Sequence, residues 1–369
     1  MIPEHCTNPE CRNFNNPEGS SWFLPYGSYE TATFGTVNRF KCRLCGRTFS
    51  EQSFSIDYYA KKEVDYTPIL DGLKTGSGNR DIARHLCVRN ETVQNRIERL
   101  SRWAQGIQHT LLPLFPFNED FVADGLQSFS QSQYYPNDIN IFVGKRSQFL
   151  YTCGLSVLRR KGRMTEAQKK KRIELEKKGK ADPAATKKSM KILGEWIDNF
   201  LVEKKMLDTV LWTDMHNDYV NSFSGLVAFI HRRISSKAAR NHLNPLMAVN
   251  YYDREVRKDL SDHTRETVQF ARHPACMMSR FVLYRHHHNF LKPFRINSHD
   301  ENSSYIYWTH AEEAGMLRQD YKALINKMQG KRFFLNKLTM NEEEMKTWLH
   351  LWRNPGVKSK RYVPQYIRA

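Results

Sequence analysis

The chain has no run of about 18 apolar residues, so no segment can cross a bilayer as a helix. Its opening residues, MIPEHCTNPE, lack the charged-then-apolar order of a secretory leader, which points away from export. Cysteine is scarce and odd in number, with seven in 369 residues. Cys6, Cys11, Cys42 and Cys45 cluster early, while Cys87, Cys153 and Cys276 are scattered. Such a set is poor material for a disulfide framework and suits one metal site plus free thiols, so a reducing cytoplasmic compartment is expected. Acidic residues are also in deficit: 39 Asp and Glu stand against 57 Lys and Arg, a formal net charge of +18. An excess of that size calls for a polyanionic partner. No internal repeat occurs, and only QKKKRIELEKKGK, residues 168–180, approaches low complexity.

What is present fits a globular chain of two or three folding units, with 40% hydrophobic and 12% aromatic residues. Composition divides it into a cysteine-bearing ribbon at 1–60, a helical segment at 63–106, an α/β region at 119–300 and a basic helical tail at 301–369. A basic helical insertion interrupts the α/β region at about 160–205. Within it, Met190, Leu193, Ile197 and Leu201 have helical spacing and should pack on something.

Cys6 and Cys11 form a C-x4-C pair, and Cys42 and Cys45 a C-x2-C pair. Zinc takes four tetrahedral ligands and favours thiolate, and two tight turns supply them economically. Gly46 follows the second pair, where a knuckle turn needs positive φ. Arg39, Lys41 and Arg43 alternate, so they share one face of an extended segment.

In residues 63–106, Ile69, Leu70 and Leu73 mark a first helix. Ile82, Ala83 and Leu86 mark a second, entered near Ser77 or Asn79. Val93, Ile97 and Leu100 mark a third, with Asn90 as its N-cap. The outward face of the third would present Gln94, Asn95 and Glu98, flanked by Arg89, Arg96, Arg99 and Arg102. Amides and Arg suit base edges and phosphates, so this segment reads as a helix-turn-helix that binds DNA.

Further on, an apolar run at 121–123 ends at Asp124, and strand-like runs follow at 139–143 and 149–157. Another, at 209–213, ends at Asp214. VNYYDREVRKD reads as a helix with Asp253 near its start. Two strand-borne aspartates and a helix-borne carboxylate are what a two-metal phosphoryl-transfer site requires. The run Arg285, His286, His287 and His288 reads as an aromatic-like packing face, because consecutive histidines do not share a helical side.

These segments resemble the DDE/DDD transposases of bacterial insertion sequences. The residues that carry the resemblance are CRLCGRTFSEQ, FVADGLQSF, VLWTDMHNDY, NYYDREVRKD, HTRETVQFAR and YRHHHNFLKPFRI. It implies an RNase H-like mixed sheet flanked by helices, joined to the zinc ribbon and the helix-turn-helix. It implies Asp124, Asp214 and Asp253 as catalytic carboxylates holding two Mg2+ or Mn2+ ions, with structural Zn2+ in the ribbon. Arg257 would contact a phosphate near the site. The chain departs from the pattern at the third acid. Glu is usual there, with Arg or Lys seven residues on, yet Asn250 stands seven before Arg257; Glu255 and Glu266 are the other candidates. The implied activity is cleavage at transposon ends and 3′-OH strand transfer into target DNA, by a homo-oligomer associated with the bacterial nucleoid. The alternative is a catalytically inactive, sequence-specific DNA-binding regulator. Lys331, Arg332, Lys358, Lys360 and Arg361 suit the C-terminal segment to DNA or protomer contacts.

Overall fold

Aromatic and polar residues mix through the N-terminal segment, and they build a small sheet. In the structure, a computed structural model, every residue is described except 1, 18, 20, 236, 240, 264–269, 295–307, 358–366 and 369. After a one-turn helix α1 (Arg12–Asn15) come β1 (Phe23–Thr31), β2 (Gly35–Cys42) and β3 (Thr48–Ser50), antiparallel in that order. Phe14, Trp22, Phe40, Phe49 and Phe54 form the ribbon's core with Cys6, Cys11 and Cys42. Phe334, from far along the chain, completes that core.

Three helices follow: α2 (Thr67–Lys74), α3 (Asn79–His85) and α4 (Asn90–Leu111). Ile69, Leu73, Ile82, Ala83, Val93, Ile97 and Leu100 are buried together, as their spacing predicts. Two local expectations are corrected. Arg89, not Asn90, is the N-cap of α4, and no side chain caps it. α4 also continues past residue 106, because Ile107 and Leu111 extend its apolar stripe into the main core.

That core surrounds a five-stranded sheet of β4 (Phe121–Phe129), β5 (Pro136–Gly144), β6 (Leu150–Val157), β7 (Thr209–Thr213) and β8 (Phe229–Arg233). Its order is β6-β5-β4-β7-β8; β4, β5 and β6 pair antiparallel, and β7 and β8 join in parallel. Strand alternation sends Phe121, Ala123 and Phe142 to one face. There they meet Met190, Leu193, Ile197 and Leu201 of α6 (Ala185–Glu203). Val122, Leu126, Ile139, Ile141 and Val143 go to the other face, under α8 (Met247–Asp259) and α9 (Pro274–Phe290). Both faces are covered, which is why Ile141, Phe142 and Val143 of β5 are consecutive apolar residues buried on alternate faces.

Two domain boundaries change. α6 is a layer of the fold, so only the stretch around α5 (Glu166–Lys178), which buries no residue, stands apart as an insertion. The segment from 301, expected as a basic helical tail, is helical in its described part and packs on the rest of the chain. It contains α10 (His310–Glu313), α11 (Arg318–Met328) and α12 (Glu342–Trp348), and α12 packs on β6, α4, α6 and α9. The reason is Glu344, whose fully buried carboxylate accepts from Arg285 at 2.5 and 3.2 Å and from Gln105 at 3.0 Å. Among the described residues, no helix is long and apolar enough to cross a membrane.

Candidate functional site

The four ribbon cysteines come from two turns. Cys6 and Cys11 flank the approach to α1, and Cys42 and Cys45 bracket the end of β2. Their Sγ atoms lie within 4.8 Å of one another. Cys6 and Cys45 are 3.5 Å apart, and Cys11 and Cys42 are 3.8 Å apart. Sulfurs about 2.3 Å from a tetrahedral zinc ion would be about 3.8 Å apart, so the cluster fits zinc. Gly46 has φ +70° and donates its N–H to the Cys42 carbonyl at 3.0 Å, closing the turn. Burial pushes the Cys6 and Cys11 thiols up. Burial acts the same way on Cys42, but the N–H groups of Cys45 and Leu44 and the Asn13 amide outweigh it and bring the thiol down to about 7. Beside the cluster, Arg39 and Lys41 both lie over the Tyr26 ring, at 5.2 and 5.7 Å, on the shared face that alternation predicts.

The aspartates arise from the parallel pairing of β4 with β7. That pairing reaches Val122 opposite Trp212. Asp124 and Asp214 each lie two residues beyond this pair, at the same level on neighbouring strands, whose spacing is about 4.8 Å. Asp214 follows the end of β7, as predicted, whereas Asp124 lies within β4, opposite Ile141. Asp124 accepts from the Gly125 N–H at 2.7 Å and from the Tyr219 hydroxyl, on α7 (Asn217–Ser222), at 3.3 Å. Asp214 accepts from the His216 N–H at 2.8 Å. Burial raises Asp124 to about 6, and the charges of Asp214 and Asp138 add to the rise.

Asp138 escaped the sequence analysis. It sits on β5, and a Cβ placed on Gly125 would come within 3.2 Å of its Cγ. Burial raises it to about 6, with His216 and Lys161 opposing the rise and Asp214 adding to it. The available signal was an acid inside PNDINIFVG, a strand otherwise buried on both faces.

Asp253 is on α8, which covers the sheet face of Val122 and Leu126. Its carboxylate stands 3.9 Å from Arg257. Arg257 donates to the carbonyls of His263 at 3.0 Å and Gln127 at 3.1 Å. This corrects the expectation of an arginine held out for a phosphate: the guanidinium joins α8 to β4. Glu255 is paired with Lys292, and Glu266 lies outside the described residues. Asp214 and Asp138 are acids whose charges act on Asp124. Among the described residues, the thiols alone gather three or more such ligands within 4.8 Å. A two-ion site spreads its ligands wider than one ion does, and buried carboxylates on which the charge of Asp214 acts are a donor set that divalent cations would neutralise.

The outward face expected on α4 is also corrected. Arg89 is exposed, but Arg96 and Arg99 are buried. Arg99 donates to the carbonyls of Ile56 at 2.8 Å and Tyr58 at 2.7 Å, and to Asn95 Oδ1 at 2.8 Å. Arg96 donates to the Lys62 carbonyl and to Asn95 Oδ1. Gln94 accepts from Asn79 at 2.8 Å and donates to the buried Glu98 at 3.2 Å. The connection from ribbon to α2 crosses α4 here, and its carbonyls need donors that a guanidinium fork supplies. The exposed polar groups are instead Arg80, Arg84 and His85 on α3 and Arg89, Asn90 and Glu91 at the start of α4. The histidine run packs as expected: His286 is buried edge-on to Trp103, and His288 stacks on His310 at 3.9 Å.

Neither a scan against protein-family models nor a search of curated proteins returns a match.

Proposed function

We propose that the chain is a DDE/DDD-type transposase, a metal-dependent enzyme that cleaves transposon DNA ends and transfers the freed 3′-OH into target DNA. The observation that carries the reading is the level placement of Asp124 within β4 and Asp214 just past the end of its parallel neighbour β7, with Asp138 on β5 acting on Asp124 by its charge. A mixed sheet covered by helices on both faces agrees with an RNase H-like domain. The three helices α2–α4 agree with a helix-turn-helix, whose exposed Arg84 and Arg89 would meet DNA. The thiol cluster supports a structural zinc.

Asp124, Asp214 and Asp138 would hold two Mg2+ or Mn2+ ions. Bound there, such ions would activate the attacking oxygen and stabilise the leaving one. Asp124 is oriented by the Tyr219 hydroxyl and the Gly125 N–H, which would present its carboxylate to a cation in a fixed orientation. Rigid strands hold such groups better than loops. In the first step, water attacks the end phosphodiester and gives up a proton, and the 3′ oxygen leaves with its bond electrons and takes up a proton, leaving a 5′-phosphate and a 3′-OH. In the second, that 3′ oxygen attacks a target phosphodiester and displaces another 3′ oxygen. Neither step requires a covalent bond to the protein. Two ends must be joined, so a homo-oligomer is the working form.

The test is nicking of a plasmid carrying the DNA that flanks the gene on both sides, with Mg2+ or Mn2+. The expected result is metal-dependent nicks, lost to background in Asp124→Asn and in Asp214→Asn. Sequence-specific binding without cleavage under either metal would replace the enzyme with a regulator.

A further inference from the structure

Nearly half of the chain's charge excess sits in one short stretch. Residues 158–180 carry eleven Lys and Arg against three Glu, out of a formal net charge of +18 for the whole chain. They include α5, which buries no residue, so apolar packing does not explain the helix. Other contacts hold it in place. Thr165 and Gln168 cap its start reciprocally. Arg159 grips Glu176 through two hydrogen bonds of 2.7 and 3.0 Å. Arg160 and Lys171 both lie over the Tyr134 ring, at 4.8 and 5.4 Å. The stretch ends at Gly179, whose Cβ position would lie 2.4 Å from the Gly356 nitrogen, so backbone meets backbone there.

Two of the three carboxylates are neutralised within the stretch, Glu176 by Arg159 and Arg172 and Glu166 by Lys169. Arg163, Lys170, Lys177, Lys178 and Lys180 are exposed and carry no ion pair among the described residues. At the root, Lys161 lies close enough to Asp138 for its charge to act on that carboxylate. The stretch leaves β6 at Val157, next to Ser156, the partner of Asp138 on β5, so these exposed cations follow directly on the strand that flanks Asp138. Like charges placed so closely repel one another, and a polyanion laid along them relieves the repulsion.

We propose that residues 158–180 form an arm that grips the phosphate backbone of the duplex DNA whose strand reaches the aspartates. This rests on the function proposed above. The arm tracks phosphates and reads no bases, because Lys contacts of this kind position a duplex without specifying sequence.

The test uses the full chain and a labelled 40-base-pair duplex of arbitrary sequence, titrated at several salt concentrations. Each phosphate contact adds about 0.9 to the slope of log affinity against log salt. Combined Lys170→Gln, Lys177→Gln and Lys178→Gln should lower the slope by roughly 3. Arg at the same positions should preserve it and shows that charge, not folding, is read. Combined Lys205→Gln, Lys322→Gln and Lys327→Gln removes equal charge from exposed positions elsewhere and should leave the slope nearly unchanged. An unaltered slope in the first variant, or an equal fall in the last, overturns the arm. So does an effect seen only with duplex RNA of the same length. Plasmid nicking is followed in parallel to separate the two ideas. Nicking by wild type with an unaltered slope sinks the arm alone. A lowered slope in a protein that never nicks keeps the arm as a DNA contact and sinks the transposase.

Discussion

An aspartate in water titrates near 3.9. Asp124 and Asp138 are raised to about 6, first by burial, with the charge of Asp214 adding to both, because the folded chain removes water from the carboxylates and brings a further acid near them. Asp124 keeps two donors, Gly125 and Tyr219, while Asp138 answers chiefly to the charges of His216 and Lys161. Asp138 is therefore expected to assist cation binding, with Asp124 and Asp214 indispensable. Asp138→Asn should raise the Mg2+ concentration needed for half-maximal nicking by roughly 10–100-fold, with activity recovering at high Mg2+. Loss of nicking at every Mg2+ concentration would assign Asp138 a larger role, and an unchanged Mg2+ requirement would remove it from the site. Arg96, Arg99 and Arg257 carry the opposite lesson. Each was expected to face DNA, and each binds backbone carbonyls of its own chain instead.

At the scale of elements, the ribbon and α6 contrast in what stabilises them. α6 is held by four apolar side chains fully buried against the sheet. Leu193→Ala should cost about 2–5 kcal/mol by chemical denaturation, because it removes packing and leaves a cavity. A loss well under 1 kcal/mol would mean that α6 does not form this layer in solution. The ribbon has a small aromatic core, and its turns converge on sulfur. Metal-binding free energy is then folding free energy. The protein should hold about one zinc ion per chain, and a strong chelator or Cys42→Ser should unfold the ribbon. Tryptophan fluorescence from Trp22, stacked on Phe49 at 5.7 Å, would report the loss. Unchanged fluorescence after complete metal removal would show that the aromatic core suffices.

For the whole molecule, Glu344 and Arg285 form the joint that ties the C-terminal segment to the sheet. Both are essentially unexposed, and His109, Gln105 and Thr152 surround the carboxylate. Burial acts to raise Glu344, but Arg285 and His109 outweigh it and hold the carboxylate well below its usual range. Its ionised form therefore stabilises the fold at neutral pH, a contribution lost as pH falls below the ordinary carboxylate value. Glu344→Gln should cost about 3–5 kcal/mol, since it strands Arg285 as a buried charge. Equal stability in Glu344→Gln and wild type would refute the joint. His286 adds a second acid sensitivity. Burial lowers it to about 3, with the His287 and Arg285 charges helping. Its contribution is complete above 6.5, where folded and unfolded chains are both neutral. Below 6.5 the unfolded chain binds a proton that folded His286 refuses until about pH 3, so stability falls across that window. Between pH 7 and 5 the expected loss from this residue is about 2 kcal/mol. His286→Phe should lose that much less over the same interval, and an identical fall in both proteins would exclude the effect.

The local patterns were legible from residue types alone. The apolar stripes of α2, α3, α4 and α6, the strand runs at 139–143 and 209–213, and the paired cysteines all follow from short-range spacing, which the backbone geometry of helix, strand and turn imposes wherever the chain lies. What lies on either side of an element is a different matter. Burial of Arg96 and Arg99 depends on a connection that returns across α4, the position of α12 depends on Arg285, and the association of Asp138 with Asp124 depends on how β4 and β5 align. Pairing register and long-range charge contacts are set by the packing of distant segments, and no window of neighbouring residues contains them. Residue spacing sets which elements form and which acids and thiols are available; which of them meet depends on the folded chain, because only folding brings residues far apart in sequence within the few ångströms over which charge and coordination act.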